Sequence, residues 1–135
     1  MIVGKEPPRD NKMSKISEDK TREERIAMEI IVDAYGPEEQ AMGWYCYLDE
    51  YLHFPFRGRC IKGRRTSPLK VGEVVTVMKM AHEDYCMHDM FVEIKWAGRK
   101  LAVPLSQIEA VGTDDETREA IADWHYWIAR GYQLA

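Results

Sequence analysis

The sequence predicts an α+β fold: two N-terminal helices, a small five-stranded antiparallel SH3-like barrel and a C-terminal helix. Three observations carry this. Apolar residues recur at helical spacing from residue 21 to about residue 53, and again after residue 114. Between these regions the pattern alternates with a period of two in five short runs. Five short strands in about 60 residues suit a small barrel better than a sandwich, which needs about seven. A chain of 135 residues, 45% hydrophobic and 31% charged, is long enough to form one domain without disulfides or a structural metal.

Residues 1–20 carry a Pro-Pro pair, many charges and few large apolar groups, so they read as a flexible tail ahead of a single domain over 21–135. In "TREERIAMEIIVDAY" Thr21 is a candidate N-cap, and Ile26, Ile30, Ile31 and Ala34 fall at helical intervals. Gly36-Pro37 should end that helix, with glycine in the left-handed cap. Pro37 then opens a second helix, with Glu38 and Glu39 at its favourable end and Trp44, Tyr45, Leu48 and Leu52 along one face. Gly43 inside it offers close packing at some cost in helix stability.

The strands are "FPFRGRCIK", "EVVTVMKM", "MFVEIKW", "RKLAVPL" and "IEAV", with Ala97-Gly98 as a tight hairpin turn. "TDDE" at 113–116 reads as the acidic cap of the last helix, whose Ile121, Trp124 and Ile128 share a face. Asp33 and Asp123 lie on helices with no evident partner. Trp44, Trp96, Trp124, Trp127 and the tyrosines are expected to pack in the core.

A net charge of −4 argues against wholesale nucleic-acid binding. Cys46, Cys60 and Cys86 are an odd count without C-x-x-C spacing, which points to reduced and mostly packed thiols. No apolar run reaches the roughly 20 residues that cross a bilayer, and no secretory signal is apparent, so a cytoplasmic location is expected. There is no P-loop, nucleophile elbow, H-E-x-x-H or Gly-rich dinucleotide fingerprint, which argues against an enzyme.

The segments "REERIAMEIIVDAY", "AMGWYCYLDEYLHFPF", "SPLKVGEVV", "MFVEIKWAGRKLAVPLSQIEAV" and "DETREAIADWHYW" span most of residues 22–127. Together they resemble the small cyanobacterial and bacterial calcium-binding proteins whose founding member takes part in calcium signalling during heterocyst differentiation. The resemblance implies a compact Ca²⁺ binder without EF-hand loops that buffers or senses the ion through surface carboxylates. The chain indeed contains no acidic EF-hand loop that would supply ligands from one continuous segment.

Ca²⁺ takes six to eight oxygens, commonly from two or more carboxylates helped by carbonyls and water. Two clusters offer them: Asp49 and Glu50 near the negative end of the second helix, and Glu83, Asp84 and Asp89 in the long connection between the second and third strands. These five are the predicted ligands. The same connection holds His82, Cys86 and His88, a possible site for a softer metal. A basic stretch from 57 to 70, with Arg57, Arg59, Lys62, Arg64, Arg65 and Lys70 and no acid, gives the alternative of a nucleic-acid-binding module on the barrel. A protein partner is possible but unidentified, and no membrane association is expected.

Overall fold

A computed structural model describes residues 17–134. Helix α1 (Lys20–Arg25) runs on into one π-helical turn (Ile26–Ile30) and is followed by α2 (Pro37–Tyr51). Five strands come next: β1 (Phe56–Cys60), β2 (Val74–Met80), β3 (Phe91–Trp96), β4 (Arg99–Pro104) and β5 (Ile108–Val111). Helix α3 (Asp115–Ala129) closes the described chain. All five predicted strands form, and the α+β class holds. Most of the predicted tail, residues 1–16, lies outside the described residues.

The helical region departs from the expectation in detail. Asp19 rather than Thr21 caps α1, its side chain accepting from the Arg22 amide at 3.0 Å. Asp33, not Gly36, takes the left-handed conformation after the π turn, at φ 60°. A short polar side chain tolerates that region. Gly36 is instead the extended N-cap of α2, ahead of Pro37 in the first turn. Gly43 sits where α2 crosses the π turn: a Cβ there would lie 2.4 Å from the Ile30 carbonyl oxygen, so only glycine allows the approach.

The sheet is antiparallel throughout, in the order β4-β3-β2-β1-β5. Ala97 (φ 50°) and Gly98 (φ 79°) make the predicted two-residue turn, with Trp96 opposite Arg99. The SH3-like barrel, however, does not close. After β4 the chain turns through a 3-10 segment (Leu105–Gln107) and β5 pairs with β1 at the far edge, so β4 and β5 are the two borders of the sheet with no ladder between them. Helix α3 packs on β5 and the 3-10 segment at that corner.

One apolar core joins the layers. Trp44 and Leu48 of α2, Val77, Val92 and Ile94 of the sheet, and Trp124 and Trp127 of α3 are buried in it, the Trp44 and Trp124 ring centroids lying 5.1 Å apart, edge to face. Against expectation Trp96 is only half-buried, and Tyr35, Tyr85 and Tyr132 are exposed, the polar hydroxyl letting a tyrosine ring stand in water.

Asp123, which showed no partner in the sequence, is wholly buried and accepts hydrogen bonds from Arg22 (2.6 Å), Arg25 (2.6 and 3.2 Å) and the Tyr47 hydroxyl (2.6 Å). These bonds tie α1 to both other helices. Among the described residues no helix is long and apolar enough to cross a membrane.

Candidate metal site

The burial of Trp44 and Leu48 fixes the rotation of α2, and that rotation turns Tyr45 and Asp49, one helical turn apart, toward the sheet. There they border a cleft of about 590 Å³ shared with Lys79, His82, Tyr85, Glu93 and Lys100. Lys79 and Glu93 are cross-strand partners on β2 and β3. The connection between these strands carries a short 3-10 segment (Glu83–Cys86) that packs against α2. Burial raises the Tyr45 phenol above its usual range, and the negative charges of Asp49 and Glu83 push it further the same way. The end of α2 and the 81–90 connection thus meet along this cleft, where Asp49 and His82 both line it.

The other three predicted ligands face elsewhere or are already engaged. Glu50 borders a different groove on α2, with Glu29, Cys46 and Tyr51. Asp84 is exposed at the start of the 3-10 segment, its amide donating to His82 Nδ1 at 3.1 Å and its carboxylate 3.5 Å from the same ring. Asp89 accepts from the Met90 amide at 2.8 Å and faces Arg64 at 3.7 Å. Burial raises its carboxyl, against the pull of those two neighbours. Glu93, which sequence reasoning missed, lies on a strand that reads simply as alternating, so its pairing with the end of α2 across the cleft had no local signal.

The softer-metal set does not assemble. Cys86 is buried with its sulfur against the β3 backbone, accepting from the Phe91 amide at 3.4 Å, while His82 and His88 are exposed. Burial raises the Cys86 thiol, which disfavours the thiolate a metal needs. The basic stretch is partly spent inside the fold: Arg59 pairs with Glu109 at 3.2 Å, and Arg64 donates to Ser106 at 3.0 Å besides facing Asp89.

Among the described residues, the only His, Cys, Asp or Glu side chains that converge as a threesome are His53, Asp114 and Glu116. His53 Nδ1 is 2.7 Å from Asp114 and Nε2 is 2.7 Å from Glu116, so the carboxylates take opposite nitrogens of the ring. Asp114 is also the N-cap of α3, accepting from the Thr117 hydroxyl at 2.6 Å. That bond is the main reason its carboxyl is held below the usual range, with His53 a lesser cause. The His53 amide donates to the same hydroxyl at 3.1 Å. A cation here would face the positive end of α3, and imidazole nitrogen is a poor partner for a hard ion. The threesome is a helix cap that fastens the α2–β1 corner to α3.

The fold is that of a small α+β protein with a cleft in which carboxylates of separate segments, Asp49 and Glu93, stand among Lys79, Lys100 and His82. The CcbP family, described as calcium binding, matches residues 24–128, and the chain belongs to that family. The crystal structure of Anabaena CcbP superposes with a TM-score of 0.78 at 51% identity, covering 87% of this chain and 96% of that one. A calcium-binding protein in its calcium-binding form superposes with a TM-score of 0.76, also at 51% identity, covering 84% and 94%. No curated protein matches. Calcium is therefore the ion of the family the resemblance pointed to.

Proposed function

We propose that this chain binds Ca²⁺ at the mouth of the cleft between α2 and the 81–90 connection, and that it buffers or senses the ion in the cytoplasm rather than acting as an enzyme. Asp49 from α2 and Glu83 from the connection are the first ligands, with Asp84 next to Glu83 in the chain and Glu93 on the sheet side of the cleft as further carboxylates, and Glu50 and Asp89 adding negative charge. The supporting observation is that Asp49 lines the cleft opposite Glu93 while the 3-10 segment that carries Glu83 packs against α2. These are hard oxygen donors in exposed positions, as Ca²⁺ prefers, and Mg²⁺ should bind more weakly because it dehydrates reluctantly. Five or more carboxylates do not form a tight ring before the ion arrives, so an affinity nearer the micromolar sensor range than the nanomolar buffer range is expected.

Titration calorimetry on metal-stripped protein tests this. Heat from Ca²⁺ at micromolar concentration should shrink in Asp49→Asn and Glu83→Gln and persist in Glu116→Gln. A thermal shift gives a second reading: binding only to the folded state adds about 2.7 kcal/mol at 100 times Kd. If Asp49→Asn and Glu83→Gln keep the full heat, the ion is held elsewhere; if no heat appears below the millimolar range, calcium binding by this chain is refuted.

A further inference from the structure

The end of the first helical segment exposes more apolar surface than its neighbours explain. Within eight residues, Met28 is 69% exposed, Val32 48% and Tyr35 88%. Val32 lines a shallow groove of about 340 Å³ together with Ile30, Ala34 and Met42, and Tyr35 follows Ala34 in the chain. Exposed apolar groups gathered in one short segment mark interaction sites, and a methionine in the groove, Met42, adapts to differently shaped partners.

The charge around the groove says what can cover it. Residues 26–56 contain six acids and not one lysine or arginine. Asp33, Glu38 and Glu39 line the groove itself, and Glu29 stands next to Met28 in the chain. The positive charges that precede this stretch in the chain, Arg22 and Arg25, bond to Asp123. Glu39 also accepts from the Tyr35 amide at 2.7 Å, which fixes the turn that presents the Tyr35 ring.

We propose that this groove docks a basic amphipathic helix of another protein. Its apolar side chains would lie on Val32, Tyr35 and Met42, and its lysines or arginines would meet Asp33 and Glu38. An anionic membrane surface or a nucleic acid would be repelled by the same rim, and a second copy of this chain laid face to face would bring like charges together. The surface is separate from the calcium cleft, so it stands or falls independently of it.

The probe is a synthetic helical peptide of leucine and lysine, labelled for fluorescence anisotropy, titrated with the full-length protein. A dissociation constant on the order of 10 µM is expected. The double variant Val32→Ser, Tyr35→Ser should weaken it by about tenfold, as apolar anchors do, and Glu38→Lys should weaken it most at low salt. These positions are exposed, so the variants should keep the wild-type melting curve and calcium titration. Equal affinity for a peptide with its leucines replaced by serine, or unchanged binding by the double variant, would show mere charge attraction and overturn the proposal. So would no binding at about 100 µM protein, binding of phosphatidylserine vesicles through Val32 and Tyr35, or sedimentation showing a dimer that the double variant dissolves.

Discussion

Asp123→Asn tests the frame on which both surfaces depend. The Asp123 side chain has no exposure, and its two oxygens take bonds from Arg22, Arg25 and Tyr47. The bond to Asp123 raises the Arg25 guanidinium above its ordinary value, and burial together with the same carboxylate raises the Tyr47 phenol. Removing one member of a fully buried ion pair costs about 3–5 kcal/mol. Here the arginine side chains keep 18% and 29% exposure, and Glu119 stands 3.3 Å from Arg22 and 3.5 Å from Arg25, so part of the positive charge stays solvated or paired. Asparagine also keeps one acceptor oxygen. The expected loss is therefore about 2–3 kcal/mol. For a chain of this size that lowers Tm by roughly 8–12 °C. Urea unfolding monitored by tryptophan fluorescence measures it, and Arg25→Gln combined with Asp123→Asn in a double-mutant cycle should show coupling above about 1 kcal/mol. A loss under about 1 kcal/mol with no coupling would mean that packing, not this charge network, holds α1 in place.

Gly43→Ala should destabilise the protein by about 2 kcal/mol or more in the same unfolding assay, because its Cβ has nowhere to go but into the Ile30 carbonyl oxygen. A neutral outcome would refute the close crossing of α2 and the π turn. A thiol reagent should modify exposed Cys46 quickly and the buried Cys60 and Cys86 only after unfolding, as counted by mass spectrometry. Burial lowers the proton affinity of His125, whose Nε2 lies 3.1 Å from the Leu105 carbonyl oxygen. The unfolded chain then takes up the proton first as pH falls through about 6.5, so this contribution is complete above that pH and is lost below it. His125→Gln should flatten the slope of stability against pH between about 6.5 and 5.

The strands and the Ala97-Gly98 turn were legible because alternation and positive-φ turn chemistry are local properties of a few residues. So was the rotation of α2, written in the spacing of Trp44 and Leu48. Sheet closure was not: whether β5 meets β4 depends on the direction of the chain after Leu105–Gln107, and strand count carries no such information. The role of Asp123 was also hidden, since its arginine partners lie about a hundred positions away and a charged residue on a helix normally reads as solvent-facing. In the candidate site, sequence identified acids beside the long connection, but not that Glu50 and Asp89 face away from Asp49, nor that Glu93 shares its cleft. Helical phase explains Glu50: adjacent residues on a helix point about 100° apart, so a pair of neighbouring acids cannot serve one small ion equally.

The open border at β4 has a consequence for behaviour at high concentration. Among the described residues its outer backbone groups have no strand partner, and such a row is a template on which another chain can add a strand and start a fibre. Arg99 and Lys100 stand exposed at one end of β4, and Pro104 at the other lacks the amide that a newcomer's carbonyl would need. An incoming strand would have to bury cationic groups at its first contacts and forgo a hydrogen bond at its last. Replacing the exposed Arg99 and Lys100 by threonine or valine should leave the core untouched while making the border more adhesive, so protection of this edge is expected to lie in surface side chains rather than in global stability.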